Sequence, residues 1–120
     1  MTKKQMASEA KEQFIRQKAA EHIPDVNEKI LWSFHAVSKL RMEGLRKSDV
    51  ENCLRQCVLI EDYGETPGRP LPDCLVLEFA DVGPVHAVVA TDTESDRIII
   101  ITIYRPSQER WSNDWKRRKI

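Results

Sequence analysis

The chain has 120 residues, of which 41% are hydrophobic and 32% charged, a composition typical of a folded domain and not of a disordered protein. Its 19 basic and 19 acidic residues cancel, which argues against a broad nucleic-acid-binding surface. No apolar run reaches the roughly 18 residues that a membrane helix needs, and the charged N-terminus lacks the apolar stretch of a secretory signal. We therefore expect a single cytoplasmic domain, residues 1–120, with no membrane partner.

The charges are unevenly distributed along the chain. Residues 64–104 contain 2 basic and 7 acidic groups, whereas residues 105–120 contain 6 basic and 2 acidic groups. A local basic edge is compatible with phosphate contact or with an acidic partner, and equally with a solvated chain end.

The cysteines and histidines do not form a metal-binding pattern. There is no CxxC pair, and the histidines lack the spacing of a zinc finger. Cysteines in a reducing compartment are commonly buried as small hydrophobic residues. We expect no metal and no other cofactor. The residues concerned are Cys53, Cys57, Cys74, His22, His35 and His86.

Helices are predicted in the first half of the chain. Residues 2–22 are rich in helix formers, with a weak apolar stripe at Met6, Ala10 and Phe14, and residues 1–24 read as an N-terminal helical extension. A second helix fits residues 25–43, where Asp25 is a candidate N-cap. Ser48 and Glu51 have the spacing of a capping box, which predicts a third, short helix through about Cys57.

The second half of the chain has the alternating pattern of strands joined by short connections, which favours an antiparallel sheet. The last strand contains four consecutive isoleucines and is expected to be buried on both faces. The spacing of Trp111 and Trp115 suggests a final helical turn. The predicted fold class is α+β, with helices packed on one face of an antiparallel sheet of about four strands and residues 25–120 as the core. The strands are expected at 58–63, 74–79, 85–90 and 97–104.

Four polar residues interrupt apolar patterns and are candidate site residues. His35 lies in the most apolar part of the second helix, and His86 lies in an alternating strand. Thr102 and Tyr104 are two residues apart, so in a strand their side chains point the same way. Each also has a purely structural interpretation, as a hydrogen-bonded residue of the core or its boundary.

An ordered series of motifs resembles a bacterial domain family that has no settled activity. The similarity covers about residues 30–118 and leaves the N-terminal helix outside. Its motifs are His35-Ala36 with Lys39-Leu40, Ser48-Asp49-Val50, Ile60-Glu61-Asp62-Tyr63, Pro84 to Ala90, Ile101 to Pro106, Trp111, and Asp114 to Arg118.

The resemblance implies a toxin of a toxin–antitoxin pair with the fold of RelE, colicin and barnase-like RNases. Its expected partners are RNA and a cognate antitoxin, such as a zinc-finger or helix-turn-helix protein. The implied reaction is metal-independent endoribonuclease cleavage, in which a ribose 2′-OH attacks the adjacent phosphorus with histidine as acid and base.

The same resemblance suggests roles for individual residues. His35 and His86 would act as base and acid in either order, while Thr102 and Tyr104 would orient the phosphate. The cation that stabilises the phosphorane would be Lys39 or Arg117. The residues that bind the substrate would be Lys39, Arg105, Arg117 and Arg118. The alternative hypothesis is a non-catalytic module that keeps this fold and only binds a partner.

Overall fold

The computed structural model describes residues 7–64 and 67–119. The helices in this part of the chain are α1 (Ser8–Glu21), α2 (Phe34–Glu43) and α3 (Lys47–Cys53), the last continued by a 3-10 turn at Leu54–Gln56. The strands are β1 (Ile30–Trp32), β2 (Val58–Gly64), β3 (Asp73–Ala80), β4 (Gly83–Asp92) and β5 (Arg97–Tyr104).

The strands form one mixed sheet in the order β1-β5-β4-β3-β2. Strands β2 to β5 pair antiparallel through short connections, as the alternating pattern predicts. The α+β class is confirmed. The sheet has five strands instead of four, because the three-residue β1 adds to the edge of β5 in parallel orientation.

The predicted helix over residues 25–43 is shorter in the structure. Residues 23–27 form a turn in which Asp25 has a positive φ of 64°, and β1 follows. Helix α2 starts only after Ser33, whose side-chain oxygen accepts a hydrogen bond from the Ala36 backbone N–H and donates one to the Ile101 carbonyl. Pairing with β5 therefore overrides the local helical pattern of residues 30–32.

The hydrophobic core lies between the three helices and one face of the sheet. Helix α1 contributes Ile15 and Ala19 to the same cluster as the other helices, while Met6 of the predicted stripe lies outside the described residues. The buried cluster consists of Ile15, Ala19, Ile30, Ala36, Leu40, Val50, Leu54, Cys57, Cys74, Val76, Ala87, Val89, Ile98, Ile100 and Ile103.

A β-bulge in β5 decides which side chains face the helices. The pairing moves from Val89–Ile100 to Val88–Thr102, so Ile101 is the extra residue. Simple alternation would place Ile98, Ile100, Thr102 and Tyr104 on one face. Because of the bulge, Ile98, Ile100 and Ile103 all face the core, and Thr102 and Tyr104 lie on the opposite face.

The chain after β5 covers part of that opposite face. Trp111 pairs with Arg118 in an isolated antiparallel bridge, and the Lys119 N–H donates to the Arg110 carbonyl. We call residues 107–119 the C-terminal hairpin. The prediction of a helical turn around Trp115 was wrong, since this residue has a left-handed φ of 67° and lies in the bend of the hairpin.

In the described part of the chain, every helix is too short or too polar to cross a membrane.

Candidate functional site

His86 is completely buried beneath the C-terminal hairpin. It lies on β4 opposite Tyr104 of β5, so the two side chains share the sheet face that points away from the helices. Its Nδ1 atom is 3.1 Å from the Tyr104 hydroxyl oxygen, and its Nε2 atom is 2.8 Å from the backbone carbonyl oxygen of Trp115. Both ring nitrogens therefore have protein partners.

The partners of His86 define its tautomer. A backbone carbonyl can only accept, so Nε2 must carry the proton and donate it to the Trp115 oxygen. In the neutral ring Nδ1 then has a free lone pair, and the Tyr104 hydroxyl donates its proton to that nitrogen. The result is a directed chain of hydrogen bonds from Tyr104 through His86 to the hairpin backbone.

Aromatic packing holds this chain in place. The His86 ring meets Trp111 edge-to-face at a centroid distance of 4.3 Å, and it meets Tyr104 in the same manner at 5.2 Å. Burial lowers the pKa of His86, and burial also raises the pKa of Tyr104. Both groups are consequently neutral near pH 7, which fits the hydrogen-bond directions.

Tyr104 forms part of the wall of a basic pocket, about 350 Å³ in volume, between the end of β5 and the C-terminal hairpin. We call it the arginine pocket. Three of its side chains are guanidinium groups, and a hydroxyl from Ser107 adds a further hydrogen-bonding group. Such a lining suits an anionic ligand. The lining residues are Tyr104, Arg105, Pro106, Ser107, Arg110, Trp111 and Arg118.

One of these arginines is positioned by a carboxylate from β2. The Nε and Nη2 atoms of Arg118 donate to Glu61 at 2.9 and 3.0 Å, and the Tyr63 hydroxyl donates to the same carboxylate at 2.8 Å. The Arg118 guanidinium also lies 4.9 Å from the centre of the Trp111 ring. The hydrogen bond from Arg118 lowers the pKa of Glu61, which keeps this ion pair charged at neutral pH.

His35 and Lys39 are not near this pocket. Both lie on α2, which packs through Ala36 and Leu40 on the helical side of the sheet. His35 is exposed, and Lys39 pairs with Glu43 at 3.5 Å. His35 and His86 therefore cannot act as base and acid on one bond, as the resemblance implies, because the sheet separates the two rings.

The remaining predicted residues divide into two groups. Arg105 and Arg118 line the arginine pocket. Thr102 is on the same sheet face as His86 but does not line the pocket. Arg117 is exposed, and its backbone N–H and carbonyl bond with Ser112 inside the hairpin.

Sequence reasoning did not name Ser107, Arg110 or Glu61 as residues of this site. Arg110 lines the pocket, and the signal that could have found it was the excess of basic residues after position 104. Glu61 belongs to one of the quoted motifs, but its contact with Arg118 joins residues 57 positions apart and has no local signature.

The cysteines lie outside this site and are suited to packing. Burial raises the pKa of Cys57 and of Cys74 to about 12, so neither is a thiolate at neutral pH. Burial is also the largest cause of the raised pKa of Cys53, which is about 11. Among residues 7–64 and 67–119, no three histidine, cysteine or carboxylate side chains are grouped as a metal ion requires.

Comparison with known proteins places the chain by its domain family. Neither the curated proteins nor the solved structures include a match to it. The model of a domain of unknown function, DUF4258, matches residues 32–105, which is well over half of the chain. The match includes His86 and Tyr104 and ends before the C-terminal hairpin. The chain therefore belongs to the DUF4258 family of domains of unknown function.

Proposed function

We propose that the protein binds single-stranded RNA through the arginine pocket and cleaves it without a metal ion, by attack of a ribose 2′-OH on the adjacent phosphorus. It would act in the cytoplasm as the toxin of a toxin–antitoxin pair, held in check by its antitoxin. The observation that carries the proposal is the convergence of three guanidinium groups beside Tyr104, whose phenol contacts a buried neutral imidazole.

The pocket offers what the reaction requires of its electrostatics. Attack by the 2′ oxygen places additional negative charge on the phosphorane oxygens, and fixed guanidinium donors stabilise that charge. Arg118 is oriented by Glu61 and by the Trp111 ring, so it reaches the pocket already positioned. Neither Arg105 nor Arg110 forms an ion pair within the described residues. Arg105 donates one hydrogen bond to the Val82 carbonyl at 3.3 Å, and its other N–H groups and those of Arg110 can take phosphate oxygens as partners.

The histidine roles differ from those that the family resemblance implies. His35 is on the helical side of the sheet, and both nitrogens of His86 are already bonded to protein atoms. Neither imidazole lines the arginine pocket. Any contribution of His86 to proton transfer must therefore pass through Tyr104.

The test is cleavage of a mixed-sequence single-stranded RNA in the presence of EDTA, with analysis of the product ends. We expect 2′,3′-cyclic phosphate ends, and we expect Arg110→Ala to reduce the rate about 10²-fold or more, the usual cost of losing a transition-state charge donor. The matched control is Arg41→Ala, which removes an exposed arginine on α2 and should leave the rate unchanged. Equal rates for the two variants would refute the arginine pocket as the site.

A second candidate function, a non-catalytic partner-binding module, has its own supporting observation. The outer face of α2 exposes Phe34 at 94%, Met42 at 74% and Val37 at 49%. These residues have helical spacing and form an apolar stripe of the kind that protein interfaces cover. If the wild-type chain neither binds nor cleaves RNA but still captures its antitoxin, and if Phe34→Ser abolishes capture, this second function replaces the first.

A further inference from the structure

We propose that Tyr104 is the proton acceptor of the cleavage reaction and that His86 is the buried second member of its proton relay. This inference rests on the proposed RNA cleavage and assigns the general base, a role that the arginines of the pocket cannot fill. It also explains why a tyrosine on β5 and a fully buried histidine on β4 are bonded to each other directly behind the pocket wall.

The geometry fixes the direction of the relay. Tyr104 lines the pocket, whereas His86 has no exposed surface, so the phenol is the only member of the pair that a substrate can reach. The Tyr104 proton points at His86 Nδ1, which leaves the phenol oxygen lone pairs free to accept a proton from the pocket side. A substrate 2′-OH placed there would find an acceptor whose own proton has a receptor 3.1 Å away.

The environment of His86 supports the charge that such a transfer creates. The Nε2 proton is held by the Trp115 carbonyl oxygen at 2.8 Å, and this bond strengthens when the ring becomes an imidazolium. The carboxylate of Glu61 lies close enough to favour the protonated ring electrostatically, although the nearby Arg118 opposes it. Burial disfavours a permanent imidazolium, so the ring carries the proton only transiently.

In the proposed cleavage, the 2′-OH proton passes to the Tyr104 oxygen while the phenol proton passes to His86 Nδ1. The electron pair of the 2′ oxygen forms the new P–O bond. The P–O5′ bond breaks, its electron pair stays on O5′, and water in the open pocket protonates that oxygen. The hydroxide left behind takes the relayed proton back from His86 through Tyr104, so the protein ends in its starting state.

The hydrogen-bond chain can be tested without RNA. Nitrogen-15 NMR of the intact protein should show His86 at pH 7 as the tautomer protonated on Nε2 with an unprotonated Nδ1. Tyr104→Phe keeps the ring packing and removes the donor, so it should shift the Nδ1 resonance and leave the Nε2–H signal in place. A His86 protonated on Nδ1 would overturn the relay.

The direction of proton transfer can be tested with two substrates. Tyr104→Phe should cleave RNA about 10²-fold or more slowly than wild type while binding an uncleavable 2′-deoxy analogue within about twofold of the wild-type affinity. The second substrate is a ribonucleoside 3′-phosphodiester with a 4-nitrophenol leaving group, which departs without a proton. If Tyr104 is the base, the loss is as large on this substrate as on RNA.

Each alternative result has one meaning. A loss on RNA alone would make Tyr104 the acid and overturn the assignment. Undiminished cleavage of both substrates by Tyr104→Phe would overturn the relay while the proposed RNA cleavage stands. No cleavage by the wild type would overturn the proposed function itself, whatever the tautomer of His86.

Discussion

At the scale of single residues, Glu78 is the most unusual side chain of the core. It lies on β3 facing the helices with 1% of its surface exposed, and neither carboxyl oxygen has a hydrogen-bond partner among the described residues. Burial, followed by repulsion from Asp49, raises the pKa of Glu78 well above its ordinary value. The folded protein therefore holds this group as a neutral carboxylic acid.

A dependence of stability on pH follows from Glu78. Below the unfolded pKa of about 4.3 both states hold the proton, so Glu78 adds no penalty there. Above that pH only the unfolded chain ionises, and the free energy of unfolding falls by up to about 1.4 kcal/mol per pH unit until the folded pKa is passed. Glu78→Gln cannot ionise, so we expect it to unfold at higher urea than wild type at pH 8 and to lose that advantage near pH 4.

Urea unfolding at pH 4, 6 and 8 measures this difference. Glu94→Gln is the matched control, since it removes an exposed carboxylate from the β4–β5 turn and should follow the wild-type curve. Parallel curves for wild type and Glu78→Gln at all three pH values would show that Glu78 is ionised or solvated in the folded protein.

At the scale of elements, the start of α2 depends on a single side chain. Ser33 caps the helix by accepting from the Ala36 N–H at 3.0 Å, and its hydroxyl donates to the Ile101 carbonyl at 2.7 Å, beside the bulge of β5. Ser33 thus follows β1, begins α2 and gives the carbonyl of the bulged residue Ile101 a hydrogen-bond partner.

Removing the Ser33 hydroxyl should destabilise the protein, because two hydrogen bonds are lost with it. We expect Ser33→Ala to lower the free energy of unfolding by about 1–2 kcal/mol, the range of a lost N-cap. Ser38→Ala is the matched control, because Ser38 is an exposed residue in the middle of the same helix and alanine has the better helix propensity. Chemical unfolding that ranks the two variants equally would contradict the capping role.

At the scale of the whole molecule, two ion pairs connect α1 to the sheet and to the turn before β5. Lys11 bonds to Asp62 on β2, and Lys18 bonds to Asp96 in the turn before β5. Both lysines are almost fully buried along their aliphatic stems. Although the family match begins only at residue 32, α1 is therefore packed as part of the same core.

The neutral net charge of the molecule predicts weak salt dependence for the RNA binding that we propose. Long-range attraction is small for a chain with 19 basic and 19 acidic residues, so affinity should come from the three arginines of the pocket. Each phosphate neutralised on single-stranded RNA contributes about −0.7 to the slope of log affinity against log salt. We expect a slope of about −2 in fluorescence anisotropy titrations, and a smaller one for Arg110→Ala. A much steeper slope would mean that a wider basic surface binds the RNA.

Much of the fold could be predicted because the relevant information is local. The isoleucines of β5, the alternation of β3 and β4, and the helix-forming residues of α1 each act through neighbours in the chain. The same is true of the excess of arginines at the C-terminal end, which marked the region of the pocket. Fold class and the general location of the basic site followed from these patterns.

What the local patterns could not supply was the partner of each residue in space. His35 and His86 are equally plausible catalysts as residue types, yet the sheet lies between them. The apolar periodicity of the sequence does not reveal the bulge at Ile101. This bulge places Thr102 and Tyr104 on the sheet face opposite to Ile98 and Ile100.

The sequence by itself determined the secondary-structure class, the presence of the isoleucine strand and the sign of the charge near the C-terminus. The expectation that this strand is buried on both faces was wrong, since β5 is buried on the helical face and only half-buried on the other, and β4 is the central strand. The tertiary structure alone decided that the hairpin would bury His86, that Glu61 would hold Arg118, and that β1 would join the sheet in place of extending a helix. The physical reason is that hydrogen-bond pairing and burial between distant segments are many-body outcomes of packing, whereas propensity and alternation act over a few residues.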